Sequence, residues 1–122
     1  MIEQKRRSML LRTKRFALDV INLYSSLPKS TVAQVLGRQV LRSATSVGAH
    51  YREACRAKSG ADFVSKIEGG LQELDETSYW LELLQDAKLV EADQIKPLVA
   101  ETNELLSVFV SVVKSVKFRV HA

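Results

Sequence analysis

The residues that could carry chemistry gather in one stretch of this 122-residue chain, RSATSVGAHYREACRAKS, which runs from Arg42 to Ser59. It holds arginines, a histidine, the single cysteine and several hydroxyl side chains. Such a mixture is compatible with a nucleophilic site, a nucleic-acid-binding surface or an ordinary helix. The choice depends on how these residues are distributed around the element that carries them.

The usual catalytic and metal-binding patterns are absent from the sequence. A di-metal centre in a helical bundle uses a glutamate three residues before an inward histidine, and neither His50 nor His121 has one. Cys55 follows His50 by five residues, so on a helix their side chains point about 140° apart and do not pair as nucleophile and base. We therefore expect no catalytic residues, no metal, no cofactor and no enzymatic activity.

A basic stripe is the stronger signal. On the predicted second helix, arginines recur with Thr45 and Ala49 at steps of three and four residues, which places them on one face. Arginine forms bidentate hydrogen bonds with phosphate oxygens, and each neutralised phosphate releases counterions. The candidate nucleic-acid-binding residues are Arg38, Arg42, Arg52 and Arg56, with Arg12 and Arg15 from the first helix. The alternative is a solvated face, or ion pairs with glutamates of the third helix in the same or an adjacent subunit.

The charge of the chain is distributed unevenly along its length. Residues 1–58 hold 12 Lys and Arg against 3 Asp and Glu, whereas residues 62–104 hold 3 against 11. This polarity suits an anionic partner, and it equally suits helices or subunits that attract one another.

Helical periodicity extends through the chain, with turns expected at SSLPKST and KSGAD. We predict an all-α protein with one domain over residues 1–122, folded as an antiparallel up-down-up-down four-helix bundle. The helices are expected at about 5–26, 31–57, 61–88 and 93–117, with Asp93 as a cap and Pro97 in the first turn of the last helix. Small residues on the second helix, and Gly69-Gly70 on the third, predict close helix packing.

Two helices carry more apolar side chains than one core requires. Tyr79 and Leu83 project away from the core residue Leu81, with Trp80 beside them, and valines broaden the apolar face of the fourth helix. We expect contacts with other copies of the chain through Tyr79, Trp80, Leu83, Val108 and Val110. The alternative is that the amino-terminal segment or the carboxy-terminal tail folds over these residues.

No signal peptide and no apolar run long enough to span a bilayer are evident in the sequence. One cysteine cannot form an internal disulfide, so nothing points to an oxidising compartment. We expect a cytoplasmic protein without a membrane partner.

The runs SATSVGAHYREACRAKSGADFVSKI and ELDETSYWLELL also support a resemblance. The chain resembles the bacterial four-helix bundle proteins first noticed as open reading frames inside intervening sequences of 23S ribosomal RNA genes. The resemblance covers most of the chain, including the Leu27-Pro28 turn. His50 stands where an asparagine is usual in that family, and Gly69-Gly70 stand where less flexible residues are usual.

The resemblance implies a single four-helix bundle that assembles into homopentameric rings or barrels. One relative is the accessory variability protein of diversity-generating retroelements, whose basic pentamer binds a reverse transcriptase and its RNA template. We therefore predict a pentameric scaffold that binds RNA, DNA or a nucleic-acid-binding protein. The alternatives are a purely structural interaction module and an RNA-processing enzyme centred on His50, Arg52 and Glu53.

Overall fold

The computed structural model describes residues 2–121, and the side chains of residues 3–118. Its four helices are α1 (Ile2–Ser25), α2 (Thr31–Cys55), α3 (Gly60–Asp86) and α4 (Ala92–His121). No strand occurs within this range, so the all-α fold class is confirmed. The helices lie where the sequence predicts them, although α1 begins earlier and α4 continues farther than expected.

A serine side chain caps the amino-terminal end of each of the two central helices. The Ser30 Oγ accepts a hydrogen bond from the Ala33 N–H at 3.3 Å, and the Ser59 Oγ accepts one from the Asp62 N–H at 3.1 Å. Each bond satisfies an amide that has no partner within its own helix. Pro28 precedes the first of these caps and disfavours helical geometry before it, which separates α1 from α2.

The fourth helix begins slightly before its expected cap. The Glu91 carbonyl accepts the Ile95 N–H at 3.3 Å, so α4 starts at Ala92 and Asp93 lies in its first turn rather than at its cap. Pro97 consequently lies in the second turn rather than the first, where its missing N–H removes one helical hydrogen bond. The helix is continuous across this position because Ile95 is anchored, fully buried, in the core.

The four helices surround one apolar core. Helix α2 packs against α1 and α3, α3 packs against α4, and α4 makes a smaller contact with α1. Within the described residues, the backbones of the diagonal pairs α1–α3 and α2–α4 do not approach closely, but the Tyr51 ring of α2 reaches the Phe109 ring of α4, with 5.9 Å between the ring centroids. The apolar and small residues that recur at helical spacing on α1 and α2 are buried: Phe16, Val20 and Leu23 on α1, and Ala33, Gly37, Val40, Ala44, Val47, Tyr51 and Ala54 on α2. On α3 and α4, Val64 and Val113 are buried while Phe63 and Val112 are only half-buried. The largest fully buried side chains are Phe16, Phe109, Ile67, Leu74, Leu81, Leu84, Ile95 and Leu105.

Small residues bring the helices close together, as predicted. A Cβ on Gly37 would lie 2.6 Å from the Leu27 Cδ1, and a Cβ on Gly70 would lie 2.6 Å from the Phe109 Cε2. Both distances are well below van der Waals contact, so a side chain at either glycine would displace its neighbour. These glycines are therefore packing positions between helices.

A buried hydroxyl pair links α2 to α3. The Ser43 and Thr77 hydroxyls are hydrogen-bonded at 2.7 Å, and the Thr77 hydroxyl also bonds the Glu73 carbonyl at 2.8 Å. Buried polar groups without partners are costly, so this pair favours the observed register of the two helices.

Candidate functional site

The outer face of α2 carries the four predicted arginines, and all four side chains are exposed. Arg15 on α1 is also exposed, whereas Arg12 is half-buried. The structure divides these six arginines into two groups according to whether an acidic side chain of the same chain holds them.

Arg42 is held by two glutamates of α3. Its guanidinium lies 3.3 Å from the Glu73 Oε1 and 2.5 Å from the Glu76 Oε1. Burial acts to lower the pKa of Arg42, but the Glu76 hydrogen bond and the charges of both glutamates raise it above its ordinary value overall. Arg42 thus forms ion pairs with glutamates of the third helix, which the sequence analysis gave as the alternative to nucleic-acid binding.

Arg12 is held by α4. Its Nε and Nη2 donate to the two carboxylate oxygens of Glu101, each at 2.7 Å, and Glu104 lies 3.9 Å away. The Glu101 hydrogen bond raises the pKa of Arg12 above its ordinary value. Because Arg12 is turned toward α4, it does not join the arginines of α2 in one surface.

Four arginines remain available to a partner. Within the described residues, no acidic side chain lies within 4.0 Å of Arg15, Arg38, Arg52 or Arg56. Arg52 and Arg56 stand one turn apart at the end of α2 and line a cleft of about 510 Å³, which Lys58 and Lys66 also line. The sequence reasoning missed both lysines. The signal was available, because a short turn at KSGAD brings the start of α3 beside the end of α2.

His50, Arg52 and Glu53 do not form a compact catalytic arrangement. The His50 Nδ1 lies 3.5 Å from the Glu53 Oε1, but it is buried and has no hydrogen-bond partner among the described residues. The imidazole faces α3, where a Cβ on Gly69 would lie 2.8 Å from its Cε1. Arg52 and Glu53 both line the cleft at the end of α2, whereas His50 does not line it.

A second, larger groove of about 740 Å³ lies at the end of the bundle. Its walls include Tyr51, Cys55 and Phe63, and Lys5 and Lys58 also line it. Burial raises the pKa of Tyr51 to about 12 and raises the pKa of the Cys55 thiol above its ordinary value. Both groups are protonated at neutral pH, so the groove presents no thiolate or phenolate there.

The predicted contact residues of α3 and α4 are partly accessible. Tyr79 is 54% exposed, and its ring lies 5.2 Å from that of Trp80, measured between ring centroids. The Trp80 Nε1 is buried and finds no acceptor among the described residues. Leu83 and Val108 are half-buried, and Val110 is exposed.

Exposed apolar side chains also occur on α1 and α2, and the sequence analysis did not predict them. They are Leu11, Leu18, Ile21, Val32 and Val35. Leu11, Leu18 and Ile21 are spaced at helical intervals off the core stripe of α1, which was the available signal.

Across the described residues, no group of three or more His, Cys, Asp or Glu side chains could hold a metal ion. Over the same part of the chain, no helix combines the length and the apolar character needed to cross a membrane.

Comparison with known proteins identifies a family and a similar solved structure. The family model described as 23S rRNA-intervening sequence protein matches residues 7–111. The chain is also similar to a protein of unknown function from the S23 ribosomal protein family of Bacteroides thetaiotaomicron VPI-5482, whose crystal structure was determined at 1.70 Å. The two share 35% sequence identity with a TM-score of 0.83, and the match covers 90% of this chain and 98% of that chain. Curated proteins give no match.

Proposed function

Because the chain belongs to the 23S rRNA-intervening sequence protein family, we propose that it is a non-enzymatic, homopentameric scaffold that binds nucleic acid or a ribonucleoprotein. The observation that carries the nucleic-acid part is the set of exposed arginines on α2 and at its end, Arg38, Arg52 and Arg56, which have no acidic partner among the described residues. Unpaired guanidinium groups are free to form bidentate hydrogen bonds with phosphate oxygens.

A purely structural interaction module is the second candidate. It is favoured by Arg12 and Arg42, whose guanidinium groups are occupied by glutamates of the same chain. If Arg38, Arg52 and Arg56 pair in the same manner with acidic residues of a neighbouring copy, nucleic acid has no role. The charge asymmetry along the chain provides suitable acidic partners on α3 and α4.

Fluorescence anisotropy with labelled single-stranded RNA and DNA separates the two candidates. The scaffold proposal expects binding that weakens with salt, with a logarithmic slope of about −0.7 per phosphate contact. The triple substitution Arg38→Gln, Arg52→Gln and Arg56→Gln should reduce the affinity and flatten the slope. Arg42→Gln is the matched control, because its guanidinium is already occupied. The structural module instead predicts no binding by the unmodified protein and an altered assembly in the triple variant.

The pentamer is implied by the resemblance to the family, and we assign its contacts to Tyr79, Trp80, Leu83, Val108 and Val110. Light scattering coupled to size exclusion tests this assignment. Tyr79→Glu should shift the protein toward smaller species, because it places a charge in an apolar contact. Leu11→Glu is the control on α1. If only Leu11→Glu shifts the protein toward smaller species, the subunit contacts lie on α1 and not on α3 and α4.

The proposal includes the finer features expected from the sequence, namely an antiparallel up-down-up-down arrangement in one domain and a cytoplasmic location. Contacts between successive helices support the antiparallel sense. Gly48 faces Thr13 whereas Gly37 faces Tyr24, so an earlier position on α2 meets a later one on α1.

A further inference from the structure

The cleft at the α2–α3 corner is lined by more basic than acidic side chains. Four basic side chains line it, two from the end of α2, one from the connecting turn and one from the start of α3: Arg52, Arg56, Lys58 and Lys66. Two acidic residues, Glu53 and Asp62, also line it. The cleft therefore carries an excess of two positive charges at neutral pH.

The two acidic residues of the cleft lie close to only one of its four basic side chains, Lys66. Asp62 accepts the backbone N–H of Lys58 at 3.1 Å, and its other oxygen lies 4.0 Å from the Lys66 Nζ. Glu53 is directed toward the His50 Nδ1, at 3.5 Å. Among the described residues, neither carboxylate lies within 4.0 Å of the charged groups of Arg52, Arg56 or Lys58. Three cations of the cleft thus lack a counter-ion within the part of the chain that the structure describes.

The spacing of the two arginines suits neighbouring phosphate groups. Arg52 lies in the last turn of α2 and Arg56, four residues later, is the residue that caps the end of that helix, which corresponds to a rise of about 6 Å along the axis. Each guanidinium can take one phosphate in bidentate fashion, while a lysine adds a mobile point charge. Arg38 offers no such arrangement, because it lies about 20 Å from Arg52 along the helix and its nearest neighbour on that face, Arg42, is held by glutamates.

We propose that this cleft, formed by Arg52, Arg56, Lys58 and Lys66, is a phosphate-binding site that receives consecutive phosphates of a nucleic-acid strand. The proposal rests on the function proposed above and restricts the contact to one corner of the bundle. Free polyphosphate offers the same chemistry, so the experiment includes it as a separate arm.

The test compares two double variants that lose equal charge. Arg52→Gln with Arg56→Gln removes the cleft arginines, whereas Arg15→Gln with Arg38→Gln removes two unpaired arginines outside the cleft. Anisotropy with a labelled single-stranded RNA, and calorimetry with inorganic tripolyphosphate, are measured at low salt. We expect the cleft variant to lose about tenfold or more in affinity for the RNA, and the control variant about threefold or less. Thermal unfolding of both variants verifies that the fold is retained.

The outcomes separate this inference from the proposed function. Equal losses of RNA affinity in both variants would overturn the proposal that phosphates bind in the cleft, and would leave the proposed nucleic-acid binding intact. Tripolyphosphate binding that depends on the cleft, without any RNA binding, would overturn the proposed function and identify free polyphosphate as the ligand source. If the unmodified protein binds neither the RNA nor tripolyphosphate, both proposals are overturned. The variant Arg52→Lys with Arg56→Lys should retain the salt dependence but bind more weakly, because ammonium groups lack the bidentate geometry.

Discussion

The His50 imidazole lies directly against the backbone of Gly69. A Cβ on Gly69 would lie 2.8 Å from the His50 Cε1 and 2.9 Å from its Nδ1. These two positions, on α2 and α3, therefore form a single packing feature. The ring occupies the space that a side chain on α3 would need, so a side chain at position 69 would displace the ring.

This contact predicts strong coupling between the two positions. Gly69→Ala should lower the free energy of unfolding while His50 is present, because the ring must leave its packed position. In a His50→Ala background the same change should raise that free energy by about 0.5–1 kcal/mol, since alanine is the better helix former. A double-mutant cycle by urea denaturation measures the difference. Gly70→Ala is the control, because it meets Phe109 and should destabilise both backgrounds.

The residue Lys88, just after α3, has a strained backbone conformation that a glycine would relieve. Lys88 adopts a φ of 59°, in the left-handed region, and the Leu89 N–H bonds the Leu84 carbonyl at 3.0 Å to close a Schellman motif. Glycine is favoured at this position, so Lys88→Gly should raise the free energy of unfolding by about 0.5–1 kcal/mol. Lys88→Ala keeps the strain and serves as the control. Equal midpoints of urea denaturation for the two variants would contradict this explanation.

Sequence periodicity was sufficient for the helices and most of the core, because a stripe such as Phe16, Val20 and Leu23 has only one way to be buried. It was insufficient for the arginines. Arg42 and Arg38 are equivalent by spacing, and only the position of Glu73 and Glu76 on a neighbouring helix separates them. The cleft was missed for a related reason: its lysines belong to a turn and to the next helix, outside the periodicity of α2.

The ion pair between Arg12 and Glu101 is predicted to hold α1 onto α4. These helices make the smallest contact in the bundle, and the pair is bidentate and two-thirds buried. Glu101→Gln should lower the free energy of unfolding by about 1 kcal/mol and speed amide hydrogen exchange in the first half of α1. Glu3→Gln removes exposed pairs with Arg6 and Arg7 and should change stability by only a few tenths of a kcal/mol. If Glu101→Gln and Glu3→Gln lower the free energy of unfolding equally, the Arg12–Glu101 pair stabilises the protein no more than an exposed ion pair does.

Tyr51 predicts a loss of stability at alkaline pH. Burial raises its pKa from 10.0 to about 12, so the folded state holds the phenolic proton more tightly than the unfolded state. The resulting stabilisation is complete below pH 10 and is lost as the pH rises from 10 to 12. Tyr51→Phe has no proton to lose there, so its urea midpoint should fall less than that of the unmodified protein between pH 9 and about pH 11.5. The basic side chains titrate in both proteins and cancel in the comparison; parallel falls in the two midpoints would exclude Tyr51 as a source of the pH dependence.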